Sequence, residues 1–319
     1  MASQSDGCPV DMLIIGSGPA GLSAALYAAR ANLNPIVFTG PELGGQVSLT
    51  HVVENYPGFP NGISGPELIK AFKEQAEHFG SLFVNETVNQ VDFSQQPFRI
   101  NTDEDEYLAK TVIIATGATP RHLQVPGEEE FTSLGVSYCA TCDGHFFQDK
   151  EIIVVGGGDS AIESGLFLTR YARSVTIIHH RDNLHAGAIL QQRTLSHPKI
   201  RFLWDTIITD IYGNEVVEGV HLRQLKNGQT SKHSTDGVFI FAGYIPNTVP
   251  FRGQLAMDRQ GYLVVDQVMQ TSVQGVFAAG EVADPHYRQV VTSASMGAIA
   301  AMQAILYLEE NINILQSLP

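Results

Sequence analysis

The sequence predicts an α/β protein built from two Rossmann-like dinucleotide-binding units, and three observations carry that prediction. A strand, a glycine turn and a helix follow one another near the N-terminus. A second copy of the same pattern begins about 140 residues later, and 319 residues suffice for two domains with separate cores.

In the first unit, residues 12–15 (MLII) form a short apolar strand that runs into Gly16, Ser17, Gly18, Pro19, Ala20 and Gly21, and an Ala/Leu-rich helix follows over 22–31. The first glycine permits the sharp turn, the second admits a pyrophosphate close to the backbone, and the third lets helix and strand pack closely. Free N–H groups at the helix start then favour negative charge. Residues 111–117 (TVIIATG) and 274–281 (QGVFAAGE) read as buried strands ending in small residues, and 292–308 as a closing helix of small and Met side chains.

The second unit repeats the logic. Residues 151–155 (EIIVV) lead into Gly156, Gly157, Gly158, Asp159, Ser160 and Ala161, then a helix over 162–172 and a strand over 174–179. One glycine fingerprint is weak, since any strand-to-helix turn can use glycines. Two in the right context at domain-sized separation are specific.

Composition narrows the function. Against 33 Asp+Glu stand 19 Lys+Arg, a net charge of −14, which repels phosphate backbones and anionic lipid. Nucleic acid and membrane are therefore not expected as partners, and no apolar run is read as reaching the roughly 20 residues of a bilayer span. Residues 1–11 hold neither a basic residue nor an apolar core of signal-peptide type, so the expected location is cytoplasmic. With three cysteines, the chain does not rely on disulfide staples.

Cys139 and Cys142 make a C-x-x-C pair followed by Asp143. In an intracellular chain such a pair is either a redox dithiol or half of a zinc site. Zinc needs four ligands, and Cys8 with His145 does not complete a regular set, so no metal is expected and redox chemistry is favoured. An adjacent carboxylate suits proton delivery to a thiolate, although Asp143 also reads as a solvated turn residue.

Two dinucleotide units, a C-x-x-C just before the second and no metal set are the parts of a flavin-dependent disulfide reductase. Together with residues 44–46 (GGQ), 54–58 (ENYPG), 115–117 (ATG), 139–143 (CATCD), 287–289 (YRQ) and 292–294 (TSA), they make the chain resemble the low-molecular-weight thioredoxin reductase family along nearly its whole length. The resemblance implies an FAD domain in two segments, 1–117 and 249–319, with a nucleotide domain, 118–248, inserted between them. It also implies a homodimer, and a rotation between domains hinged near 116–120 and 243–246.

Carried over residue by residue, Gly16, Gly18, Pro19, Ala20 and Gly21 would contact the FAD pyrophosphate. Gly45, Gln46, Asn55, Thr116, Gly117, Glu281, Arg288 and Gln289 would line the rest of the flavin cofactor. Cys139 and Cys142 would form the redox disulfide, with Cys142 nearer the flavin and Asp143 as acid/base. In the second unit, Gly156, Gly158, Asp159, Ser160, Ala161, His179, His180, Arg181 and His185 fall on nucleotide-binding positions.

One departure from the family pattern stands out. Where the family carries His-Arg-Arg and then an arginine four residues on, to hold the 2′-phosphate of NADPH, this chain has His179-His180-Arg181 and His185. Losing two charge-assisted contacts at about 1.5–3 kcal/mol each predicts about 3–6 kcal/mol, on the order of 10²–10⁴ in affinity. A bound phosphate would raise the histidine pKa values and recruit them as cations, so NADPH binding is expected to be weakened rather than abolished. No acid stands where a ribose hydroxyl is usually held, unless Asp182 serves. Glu281 replaces the family's Asp, and residues 311–319 extend past the usual helix end.

The expected function is thus an FAD-dependent disulfide oxidoreductase that passes electrons to Cys139–Cys142 and on to thioredoxin or a thioredoxin-like disulfide. The electron donor is left between a weakly bound pyridine nucleotide and another carrier such as a ferredoxin or a second flavoprotein. A redox sensor with bound flavin and a vestigial nucleotide domain is the alternative from another class.

Overall fold

A computed structural model describes the backbone of residues 8–50 and 52–317, with side chains through residue 310. Along the chain the elements are β1 (Val10–Ile15), α1 (Pro19–Arg30), β2 (Ile36–Phe38), α2 (Gly65–His78), β3 (Leu82–Val84), β4 (Val88–Asp92), β5 (Phe98–Thr102), β6 (Glu106–Ile114) and β7 (Ala118–Pro120). There follow β8 (Val136–Ser137), α3 (Ala140–Asp143), β9 (Glu151–Val155), α4 (Asp159–Leu168), β10 (Ser174–Ile178), α5 (Ala188–Leu195), β11 (Ile200–Leu203), β12 (Thr206–Gly213), β13 (Val217–Gln224), β14 (Thr230–Ser234) and β15 (Gly237–Ile240). The chain ends through β16 (Tyr244–Pro246), β17 (Val276–Ala278) and α6 (Val290–Ser317). It divides into two compact units, residues 1–119 with 245–319, and residues 120–244.

The first unit is built on a seven-stranded sheet in the order β3-β2-β1-β6-β5-β4, with β17 also paired to β6. β1, β2, β3, β6 and β17 run parallel, whereas β4 and β5 are antiparallel additions. β1 shows why a parallel strand reads as an unbroken apolar run. Leu13 and Ile15 enter one core with Phe38, Phe98 and Phe251, while Met12 and Ile14 enter another with the alanines of α1 and α6. On that second face, Ala20, Ala24 and Ala28 share a core with Ala300, Ala301 and Ala304.

Helix α6 corrects one expectation. Its stretch Val290–Glu310 has a mean hydropathy of 1.5, long and apolar enough by composition to cross a membrane, which the sequence reading had placed nowhere in the chain. Core helices pass the same test, and the small side chains of this one lie in the α1 core. The helix backbone continues to Ser317, and the apolar tail side chains over 311–319 lie outside the described residues.

The second unit carries an all-parallel sheet, β11-β10-β9-β15-β8, and an antiparallel one, β12-β13-β14. Ile152 and Val154 of β9 face a core with Ile162, Leu168 and Phe239, and Ile153 faces a second with Ile178, Val220 and Ile240. The order β10-β9-β15 places the exits of β9 and β10 side by side, the usual ligand edge of an open parallel sheet.

Candidate active site: a capped dithiol and two glycine turns

In the first unit the turn after β1 is fixed by sterics. Gly16 has φ +115°, and a Cβ there would lie 2.2 Å from the Ala115 carbonyl oxygen; at Gly21 a Cβ would lie 1.9 Å from the Gly16 carbonyl oxygen. The third glycine therefore lets α1 close onto the turn itself. Gly18 is the N-cap of α1, extended at φ −69° and without a side-chain cap, and Pro19 occupies the first turn. The nearest atom to a Cβ on Gly18 is 4.0 Å away. A helix start left open to an anion in this way is what a pyrophosphate requires.

The other predicted residues of this unit assemble through long-range bonds. Asn55 Nδ2 donates to Gln289 Oε1 at 3.1 Å across 234 residues of chain. Gly45 and Gln46 begin a 3₁₀ turn whose preceding Gly44 N–H bonds Ser17 Oγ at 3.1 Å, tying that loop to the glycine turn. Thr116 Oγ1 donates to the Asn247 carbonyl at 2.8 Å, and Asn247 Nδ2 returns a bond to the Thr116 carbonyl at 2.9 Å. Beside Gly117, at φ +68°, the Cβ position is empty.

Glu281 lies beyond Gly280 and is pushed up to about 7, chiefly by burial, with Arg288 opposing the shift and Asp284 adding to it. Asp284, 7% exposed, accepts the backbone N–H groups of His286, Tyr287 and Arg288 at 2.9, 3.0 and 3.2 Å. It is the residue that shapes the loop delivering Arg288 and Gln289. Sequence reasoning passed over it and Asn247, though an Asp followed by Pro is a recognisable turn signal.

In the second unit Cys139 and Cys142 are joined in a disulfide, Cα to Cα 5.3 Å. Cys139 caps α3, and its Sγ accepts the Cys142 N–H at 3.2 Å, with Thr141 Oγ1 at 3.4 Å. Such donors stabilise a thiolate. Ser137, also missed from sequence, is 5% exposed; its Oγ donates to Asp143 Oδ2 at 2.6 Å and accepts the Cys139 N–H at 3.0 Å. Asp143 is no solvated turn residue: burial raises its pKa, against the opposing effects of Ser137 and His145.

The segment entering the dithiol is anchored as well. Tyr138 Oη donates to Glu128 Oε1 at 2.8 Å and meets His122 Nδ1 at 2.8 Å, while its carbonyl accepts from Tyr244 Oη at 2.9 Å. Glu128, 3% exposed, also accepts the N–H groups of Leu123 and Gln124. Burial and the Glu128 carboxylate push the Tyr138 phenol up. Among the described residues no group of three His, Cys, Asp or Glu is placed to hold a metal ion.

The second glycine turn, with Gly156, Gly158, Asp159, Ser160 and Ala161, connects β9 to α4 and meets the histidines beyond β10. Gly157 is pressed against the His179 ring, where a Cβ would fall 2.5 Å from Cε1. The His185 N–H bonds the Gly157 carbonyl at 2.8 Å, Arg181 Nη1 donates to His185 Nε2 at 2.6 Å, and Asp159 Oδ1 accepts the Gly187 N–H at 2.8 Å. His180 and His185 are exposed. Asp182, the alternative ribose acid, is exposed and pairs with Lys226 at 3.3 Å.

Comparison with known proteins agrees with this geometry. Residues 10–297 match the family described as pyridine nucleotide-disulphide oxidoreductase. The chain is 46% identical to the thioredoxin reductase of Peptoclostridium acidaminophilum over 307 residues, covering 94% of this chain and 98% of that one. It is 48% identical to that of Mycolicibacterium smegmatis over 301 residues, covering 94% and 97%. The crystal structure of thioredoxin reductase from Streptococcus pyogenes superposes with a TM-score of 0.91 at 45% identity, covering 94% and 98%. The chain therefore belongs to the pyridine nucleotide-disulphide oxidoreductase family, within its low-molecular-weight thioredoxin reductase branch.

Proposed function

We propose that this chain is an FAD-dependent reductase that takes electrons from a nicotinamide donor, loads them onto Cys139–Cys142 and delivers them to thioredoxin or a thioredoxin-like disulfide. The observation that carries this reading is the oxidised Cys139–Cys142 pair with Asp143 held by Ser137 beside it. In this reading FAD binds residues 1–117 and 249–319, on the open start of α1 and along Gly45, Gln46, Asn55, Thr116, Gly117, Glu281, Arg288 and Gln289. Residues 118–248 form the nucleotide-type domain.

Bound FAD supplies two-electron transfer between a nicotinamide and a disulfide. The chain's own residues do the rest. Reduction by two electrons breaks the Cys139–Cys142 bond, and a proton reaches Cys142 through Asp143, whose pKa burial raises. The Cys142 N–H then favours Cys139 Sγ as the thiolate. That thiolate attacks one sulfur of the partner's disulfide, forming a mixed disulfide and expelling the partner's other sulfur as a thiolate. Cys142 attacks Cys139, restoring the bond and releasing the partner as a dithiol.

The homodimer and the cytoplasmic location belong to the same reading. For the dimer, Val291, Met302 and Leu306 offer an exposed apolar strip along α6. His180 and His185, in place of arginines, favour a second reading for the donor alone: a ferredoxin or another flavin carrier.

The purified yellow protein, followed anaerobically at the flavin band with NADPH and NADH in turn and then given oxidised thioredoxin, tests the proposal. Bleaching followed by thioredoxin reduction is expected. Bleaching only by a chemical reductant, with thioredoxin still reduced, would select the other donor, and reduction of no thioredoxin-fold disulfide would overturn the proposal. C139S and C142S are expected to keep FAD and lose transfer.

A further inference from the structure

At the end of β10 stands a group of side chains that the dithiol chemistry does not use. In a dinucleotide unit this strand end meets the adenine ribose, with an acid for a free 2′-hydroxyl or an arginine for a 2′-phosphate. Here His179 is 4% exposed, and its ring nitrogens make no hydrogen bond of regular geometry, with the Asn183 backbone alongside. Its ring lies against Gly157, the middle of the glycine turn, with the His180 and His185 rings 4.6 and 5.8 Å away. Buried polar groups are rarely left unpaired, and one lodged in the turn before α4 marks a place built for a polar ligand.

The contact between Arg181 and His185 determines the charge of this place. A guanidinium has donors only and keeps its proton, so at 2.6 Å the lone pair on His185 Nε2 must accept from Arg181 Nη1. His185 is therefore neutral in this arrangement. A proton on Nε2 ends the bond and sets two cations side by side, a state that an adjacent dianion stabilises. Asp159 is engaged by the Gly187 N–H, and Asp182 and Asp205 both pair with Lys226. Burial, then His180, His185 and Arg181, lower the His179 pKa, against a backbone hydrogen bond with Asn183 that raises it.

We infer that Arg181 and His185 form a proton-operated latch on a phosphomonoester site, so that a dinucleotide bearing a ribose phosphate binds this chain more tightly as pH falls through the histidine range. The inference rests on reading the second unit as a nucleotide-binding unit. It turns the replacement of arginines by histidines from a loss into a pH-dependent choice between phosphorylated and unphosphorylated dinucleotides. Binding and proton uptake are then reciprocal.

Calorimetric titration of the oxidised holoenzyme with NADP⁺, NAD⁺ and 2′,5′-ADP at about pH 6 and about pH 8, in two buffers of different ionisation enthalpy, tests it without turnover. The NADP⁺ and 2′,5′-ADP Kd values are expected to weaken by about 10-fold or more at the higher pH, as uptake of one linked proton on binding allows. Net proton uptake on binding is expected between the two pH values, and NAD⁺ should change by no more than about 2-fold. The ligand's own phosphate, with a second pKa near 6, works in the opposite direction. H185R should keep tight NADP⁺ binding at both pH values, and H185N should bind weakly at both. A flat NADP⁺ profile, or an H185N variant with the parent's slope, overturns the latch alone. Binding of no dinucleotide at either pH overturns the nucleotide reading as well.

Discussion

Ser137 Oγ donates a 2.6 Å hydrogen bond to Asp143 Oδ2 while accepting the Cys139 N–H at 3.0 Å, so one buried hydroxyl joins the first cysteine of the dithiol to the carboxylate proposed as its acid. Burial raises the Asp143 pKa and this bond restrains the rise. S137A removes the restraint, and the protonated acid then persists to higher pH. The basic limb of the pH profile for single-turnover reduction of the dithiol is expected to move upward, and S137T to restore it. D143N should lose the limb and slow the step by about 10²–10⁴-fold, the usual range for a positioned acid. An S137A profile that superposes on the parent's would remove Ser137 from the proton path.

Glu281 makes a prediction about the apoprotein. Its folded pKa of about 7 stands above the ordinary 4.5. The folded chain thus binds the proton more tightly than the unfolded chain does. The associated stability is fully present below the unfolded value and is lost as pH rises through about 7. E281Q stays neutral throughout. Its thermal midpoint relative to the parent should therefore climb between about pH 5 and about pH 8, measured on flavin-free protein. A difference independent of pH would mean that the carboxyl is solvated.

Much of the site was readable because its signals are local. The turn at Gly16 to Gly21 and the pair Cys139–Cys142 are set by neighbours in sequence, where sterics and spacing leave little choice. Ser137, Asn247 and Asp284 were not readable in the same way. Asn247 acts through Thr116, 131 residues away, and Ser137 looks like any small polar residue until the one-turn helix α3 folds Asp143 back onto it. Helix α6 did not read as a candidate span because its Val, Ile and Leu residues are dispersed among Thr, Ser, Gly, Gln and alanines rather than gathered in one run.

Asp284 should control flavin retention through loop shape. Oδ1 accepts from His286 and Tyr287, and Oδ2 from Arg288. D284N keeps an oxygen for the first two and loses the third; D284A loses all three. Hydrogen bonds to a charged group contribute about 1.5–3 kcal/mol each. The ratio of flavin to protein absorbance after dialysis should fall in the order parent, D284N, D284A. Equal flavin content in all three would show that Arg288 and Gln289 hold their places without it.

Gly16 and Gly18 sit two residues apart in the same turn and are predicted to fail differently. At Gly16 the backbone has φ +115°, and the added Cβ of G16A would press 2.2 Å from the Ala115 carbonyl oxygen, a main-chain atom just past the end of β6. Left-handed strain alone costs of order 1–3 kcal/mol, and the clash adds to it, so G16A is expected to lower apoprotein stability or abolish soluble yield. At Gly18 the backbone is extended at φ −69°, which alanine adopts freely, and the nearest atom is 4.0 Å away. G18A should therefore fold with an apoprotein midpoint close to the parent's. Its methyl group would nevertheless stand over the open start of α1, in the space assigned to the pyrophosphate, and the protein should purify colourless. Circular dichroism and thermal unfolding report the fold, while bound flavin reports the site. A yellow G18A protein with full flavin content would move the pyrophosphate away from this helix.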